Sequence, residues 1–267
     1  MDYVNTQKST IIFGFDSAWT GKNPGAICAI AFDDGGRVQF HEPRPASFPD
    51  ALAFINERRK EFAVSLVAID QPTIVPDATG SRPVEGIVRP LMGFVGSAVQ
   101  PANRGKRNMF GDCAPIWLFL SELNATQDPI KARTAGTGHF LIEVYPALSL
   151  LALKDDFAER NGCPKYNPEK RKKFRLDDWR AVAAVVQANA NEFGVSDLAD
   201  WACQMQALAA PRKCHQDLLD AAICALIGLM WRAGRSHCSA MLGDLESGYM
   251  VTPVSDATRL SLGLEES

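Results

Sequence analysis

The sequence predicts an α/β protein built on a mixed five-stranded sheet, three antiparallel strands followed by parallel ones, flanked by helices. Two observations set this order. Three short runs rich in strand formers, "TIIFGF" (10–15), "GAICAIAF" (25–32) and "RVQFHE" (37–42), follow one another closely, the last two joined by the hairpin turn "DDGG" (33–36). A helical pattern then precedes "VSLVAIDQP" (64–72), which is apolar on both faces, as a central strand covered by helices is.

Within "FPDALAFINERRKEF" (48–62), Leu52, Ile55 and Phe62 lie near one helical face and a proline stands at the start, where its missing N–H costs little. Residues 72–138 mix Pro and Gly with "PVEGIVRPLMGFV" and "CAPIWLFLSELNAT"; a helix is expected over 114–125 between long loops, and such loops are more often functional or mobile than structural. "GHFLIEVYPALSLLAL" (138–153) reads as a strand running into a helix near Pro146. Beyond the polar, basic stretch 154–180, helices are expected over roughly 177–193, 197–209 and 214–234, then an irregular tail to Ser267. The reading is of one domain, 1–267, with insertions around 72–138 and 154–212.

The 267 residues are 46% hydrophobic and 22% charged, enough apolar chain for a substantial core. A net charge of -3 gives the whole chain no nucleic-acid-binding signature, so any such surface must be local. The seven cysteines form no C-x-x-C pair, and Cys28 and Cys224 lie in apolar runs, which points to a reducing compartment and no zinc site. "MDYVNTQKST" has no basic region leading into an apolar core, and no apolar stretch is long enough to span a membrane. A soluble cytoplasmic protein with no membrane partner is expected.

Carboxylates recur where acid meets apolar chain. Asp16 and Asp70 end strands, Glu143 sits in the run "FLIEVY", and Asp217 and Asp220, three apart, share one helical face. If these elements adjoin, five acids converge on one sheet edge, and their repulsion is best relieved by a hard divalent cation. Carboxylate oxygens suit Mg²⁺ or Mn²⁺, and a pair of such ions roughly 3.5–4 Å apart can activate water for phosphodiester cleavage. Taken singly, each acid has a plainer role: Asp70 as a turn residue, Asp217 at a helix N-terminus, Glu143 paired with a cation from the basic segment. Their coincidence favours the metal reading, with Asp16, Asp70, Asp217 and Asp220 as ligands and Glu143 in the catalytic group.

His215 is read either as an acid–base or phosphate-orienting group or as a surface residue of a helix N-terminus. The run 165–180 holds seven Lys and Arg with three acids and reads first as a solvated face. "QPANRGKRN" (100–108), with Arg104, Lys106 and Arg107, is the better candidate for contact with a nucleic-acid backbone.

The order of elements, with acids at the first strand, the fourth strand and a late helix, resembles the RNase H-like fold. "GFDSA", "LVAIDQP", "IEVYPAL" and "HQDLLDAAICAL" together resemble domain-of-unknown-function family 429, described as predicted RNase H-like nucleases, over about residues 10 to 232. "SRPVEGIVR" (81–89), with Arg82, Glu85 and Arg89, is similar to that family's stretch after the second acid, and Arg82 is added as a possible nucleic-acid contact. The resemblance implies strand-borne metal ligands at Asp16 and Asp70. Asp217 and Asp220 resemble the two helix aspartates of Holliday-junction resolvases.

The expected function is thus a divalent-metal-dependent nuclease acting on nucleic acid through Mg²⁺ or Mn²⁺. "FGFDSAWTG", with Ser17, Thr20 and Gly21 after the acid, also resembles the first phosphate loop of actin-like ATPases and sugar kinases, whose second loop could here only be "TAGTG" (134–138). A kinase is therefore the second reading, and a non-catalytic metal-binding or interaction protein the third.

Overall fold

A computed structural model of the protein describes residues 9–233 and 238–264. Residues 1–8 of "MDYVNTQKST", residue 234 of the last expected helix and the tail residues 235–237 and 265–267 lie outside the described residues.

Strands β1 (Thr10–Asp16), β2 (Gly25–Phe32) and β3 (Val38–Ala46) run antiparallel in turn, and helix α1 (Phe48–Arg58), extended by a 3₁₀ turn, crosses over to β4 (Val64–Ile69). Ser47 caps α1: its Oγ accepts from the Asp50 N–H, and Asp50 accepts in return from the Ser47 N–H at 3.0 Å. Then come α2 (Pro83–Phe94), α3 (Arg107–Phe110), α4 (Pro115–Leu123), α5 (Pro129–Thr134) and β5 (Gly138–Glu143). They are followed by α6 (Pro146–Leu153), α7 (Asp155–Ala158), α8 (Leu176–Glu192), α9 (Ser196–Gln206) and α10 (Lys213–Arg232).

The five strands form one mixed sheet in the order β3-β2-β1-β4-β5, with β1, β4 and β5 parallel. This is the expected α/β architecture. Edge strand β3 runs past its expected end through Pro43 and Pro45, which an outer strand tolerates because one side of its ladder is unused. Among the described residues no helix is long and apolar enough to cross a membrane.

The described part of the tail is not irregular. It forms a hairpin, β6 (Ser239–Asp244) and β7 (Gly248–Pro253), and a last helix α11 (Asp256–Ser261). The turn is made by Asp244, which accepts from the Glu246 and Ser247 N–H groups, and by Gly248 at φ 108, chemistry easily mistaken for loop composition. Val251 bridges to Val144 just past β5, so β7 reaches the sheet.

Core packing follows strand alternation. Phe13 and Phe15 of β1 meet Phe54 of α1 and Phe119 of α4 at ring separations of 5.9 and 5.5 Å. The other face, with Ile12, Gly14 and Asp16, turns to α10. Contact there is backbone to backbone: a Cβ on Gly14 would lie 2.1 Å from the Ala221 carbonyl oxygen and 2.4 Å from the Ala225 nitrogen. Gly228 performs the reciprocal service, since its Cβ would sit 2.7 Å from Ile12 Cγ2.

Two expectations follow. Gly14→Ala should lower the unfolding free energy by about 1–3 kcal/mol, the usual cost of overpacking, seen as a lower urea midpoint at unchanged slope. His139 Nδ1 lies 2.6 Å from Ser65 Oγ on the neighbouring strand, and burial depresses its pKa to about 4. A pKa lowered in the folded state means that the unfolded chain binds the proton first, so this stabilisation is complete above about pH 6.5 and declines as pH falls toward 4. Urea titrations should show the stability difference between wild type and His139→Gln narrowing from pH 7 to pH 5.

Candidate functional site

Asp16 closes β1 and Asp70 directly follows β4. Phe15 and Ile69 are partners in the parallel ladder, and the Asp70 N–H donates to the Phe15 carbonyl at 2.9 Å, so the two acids leave adjacent strand ends at one level. Alternation turns both toward α10, whose first two turns carry Asp217 and Asp220. All four line one cleft of about 590 Å³, together with Ser17, Lys213 and Gln216.

Glu143 is the exception among the five acids. It is in register with Ile69, one residue short of the Asp70 level, and lines the neighbouring cavity and not the acidic cleft. There Arg82 holds it with two parallel bonds, Nη2 to Oε1 at 2.6 Å and Nη1 to Oε2 at 2.9 Å, and the Thr73 N–H adds a third at 3.0 Å. Arg82 is 1% exposed and also bonds Glu85, whose carboxylate accepts from the Ala102 N–H. One expectation is corrected by this: Glu143 is occupied by an ion pair whose partner comes from α2's N-terminus and not from the basic segment, and Arg82, which lines the second cavity described below, has its charge engaged by two glutamates.

The electrostatics of the four remaining acids are unequal. Burial pushes the Asp16 and Asp70 carboxyls well above their usual pKa, with Asp220 adding repulsion to both, and neither carboxylate accepts a hydrogen bond among the described residues. Asp220 is raised to about 6, again by burial first, while its oxygens accept from Tyr166 Oη at 2.7 Å and Gln216 Nε2 at 2.9 Å. Asp217 is paired with Lys213 one turn back. Burial disfavours the Lys213 ammonium, but Asp217, Asp16 and Asp220 outweigh it and hold its pKa above the ordinary lysine value. Lys213 is the counter-charge of the cleft as it stands.

Among the described residues no group of three or more His, Cys, Asp or Glu side chains is gathered closely enough to hold a metal ion. The donor chemistry nevertheless fits a hard cation. Asp16 and Asp70 supply oxygens with no protein donor, and the Gln216 amide oxygen is buried with no partner. An oxygen-only set of this kind suits Mg²⁺ or Mn²⁺.

A second cavity of about 700 Å³ opens beside the acids, sharing Ala18, Trp19, Asp70 and Gln216 with the first. Trp19 adopts the left-handed backbone conformation, φ 58, and its indole N–H donates to the Asp70 carbonyl at 2.8 Å. Lys165, Lys170 and Lys173 line this cavity, whereas Arg104, Lys106 and Arg107 line neither. Arg104 is instead bonded to Asp112 and lies 4.6 Å over the Trp117 ring. The basic run 165–180, expected as a solvated face, is thus the one beside the acids. His215 lines neither cavity; its Nδ1 accepts from the Arg212 N–H at 3.0 Å, closing the N-terminus of α10.

Lys213, Gln216, Tyr166 and Tyr145 were not legible as site residues. Lys213 and Gln216 had a signal in the i, i+4 spacing to Asp217 and Asp220, but the tyrosines come from separate loops and had none.

The fold and this cleft define a mixed-sheet α/β protein with an acidic centre at the carboxyl ends of its first and fourth strands. Residues 14–242 match the family described as "Protein of unknown function (DUF429)", and the chain belongs to that family. No curated protein and no solved structure matches the chain with significance.

Arg82→Met should cost about 3–5 kcal/mol in urea unfolding at neutral pH, because Glu85 and Glu143 would be left buried without their counter-charge. A loss below about 1 kcal/mol would place the stabilisation elsewhere.

Proposed function

We propose that the protein is a divalent-metal-dependent phosphodiesterase that hydrolyses nucleic acid at the cleft of Asp16, Asp70, Asp217 and Asp220. One observation carries this reading: Asp16, Asp70, Asp217 and Asp220, from three separate parts of the chain, line one cleft with Glu169 of the basic run, and the Asp16 and Asp70 carboxylates have no donor of their own among the described residues. Burying such a pair is costly unless a cation joins it. The strand order β3-β2-β1-β4-β5 and the resemblance to RNase H-like nucleases support the same conclusion.

Asp16 and Asp70 would hold the ion, with Asp220, Asp217 and the Gln216 oxygen completing the set as Tyr166 and Lys213 give way. A divalent ion there supplies an activated water and neutralises charge on the leaving oxygen. The protein's own groups prepare the place: Lys213 keeps the acids compact in the absence of metal, and Trp19 and Ser17 fix the backbone at Asp70. A cytoplasmic setting belongs to the same proposal, in keeping with cysteines that are all free.

The kinase reading is weaker. Gly138, where "TAGTG" ends, pairs with Val64, which pairs with Thr10, so this loop lies at the opposite end of the sheet, roughly 20 Å from Asp16. Residues 134–138 line neither cavity.

The test is calorimetric titration of Mn²⁺ and Mg²⁺ into wild type and Asp70→Asn, followed by incubation with labelled single-stranded, duplex and branched DNA and RNA. Wild type should bind the ion and cleave. Asp16→Asn, Asp70→Asn and Asp220→Asn should do neither while folding as stably or more so, since like charge has been removed from one site. Metal binding without cleavage of any substrate would leave the non-catalytic metal protein as the answer, and absence of metal binding would return these acids to turns and caps.

A further inference from the structure

We infer that the cavity beside the acids receives an unpaired nucleotide, so that the substrate is a single strand or a frayed end and not an intact duplex. The catalytic half of this statement rests on the phosphodiesterase reading; the binding half does not. The cavity's volume of about 700 Å³ falls within the range of small-molecule sites, about 300–1,000 Å³. It adjoins the acidic cleft through Trp19, Asp70 and Gln216, so a group seated in it lies against one of the carboxylates.

Its lining has the two chemistries a nucleotide needs. Trp19, Tyr145 and Phe174 offer aromatic surface, on which any base stacks regardless of sequence. Trp19 is held for the purpose: the left-handed conformation is costly for a bulky residue, yet the Ser17 hydroxyl and the Asp70 carbonyl fix both its backbone and its ring at the rim. Tyr145 is anchored similarly, its hydroxyl donating to the Ala98 carbonyl at 3.2 Å.

The cations are also placed for a phosphate. Lys165 is engaged with the Gly96 carbonyl and Arg82 is neutralised by two glutamates, but Lys170 and Lys173 are exposed and make no ion pair among the described residues. A base against the rings and its phosphate on these ammonium groups would leave the adjoining phosphodiester at Asp70. A paired base cannot enter, because it is stacked inside the helix and must first be extruded at a cost.

Fluorescence anisotropy in EDTA tests this without any turnover. Labelled single-stranded DNA and RNA, a blunt duplex of the same sequence and a free mononucleotide as competitor would be compared on wild type, Trp19→Leu and the double variant Lys170→Ala, Lys173→Ala. Single strands should bind at least about tenfold tighter than duplex, and Trp19→Leu should weaken them by about tenfold with its urea midpoint near wild type. The lysine pair should lower the slope of log affinity against log salt by roughly 1.4. Equal binding of duplex and single strand, wild-type affinity in both variants, or a mononucleotide as tight as the strand would overturn the inference. Its failure is distinguishable from that of the phosphodiesterase reading: metal-dependent cleavage lost in Asp70→Asn would survive the first, and strand binding without cleavage would survive the second.

Discussion

Helix α10 rests on β1 through backbone, and the rest of the site depends on that distance. Gly14 leaves no side chain between the strand and the carbonyl of Ala221, and the thiol of Cys28 reaches the same carbonyl from β2 at 3.3 Å. Asp220 immediately precedes Ala221, so the contact that seats the helix also seats the carboxylate across from the ends of β1 and β4. A larger residue at Gly14 would lift the helix and separate the acids. Here packing and electrostatics are opposed: close docking brings like charges into a desolvated space, and Lys213 with the hydroxyl of Tyr166 offsets part of the repulsion.

A second constraint decides which acids remain free. Arg82 spans Glu85 and Glu143 and thereby ties the start of α2 to the end of β5, passing directly beneath the turn that follows Asp70. Tyr249 of the C-terminal hairpin closes over this pair, receiving the Glu143 N–H on its hydroxyl at 3.3 Å. The carboxylate that looked most conspicuous in an apolar strand is therefore the one already satisfied. Those at the strand ends are not.

Much of this was written in local chemistry. Runs apolar on both faces marked β1, β2 and β4, and the small residues of "AAICALIG" marked a helix that lies close to a sheet. Asp16 and Asp70 could be paired because parallel strands of similar length end at one level. What could not be read was anything set by loops of irregular conformation. The role of Arg82 depends on a turn that folds it back under β4, and the placing of Lys170 and Lys173 beside Asp70 depends on a segment with no periodicity. The C-terminal hairpin was hidden for another reason: its turn residues, "DLESG", have the composition of an ordinary loop.

The two outer strands show how the sheet is kept from growing. On one side β3 presents Pro43 and Pro45, which have no N–H to offer an incoming chain, together with Glu42 and Arg44, which are costly to bury. On the other, β7 approaches past the end of β5, and the Thr126 segment bridges to Phe140 near its start. Among the described residues both borders therefore hinder strand addition, the commonest route by which exposed sheets aggregate or recruit extended peptides: the prolines interrupt the unused side of β3, and the bridges occupy parts of the β5 edge. The acidic cleft is set apart from these borders in kind: it opens at the carboxyl ends of the parallel strands β1 and β4.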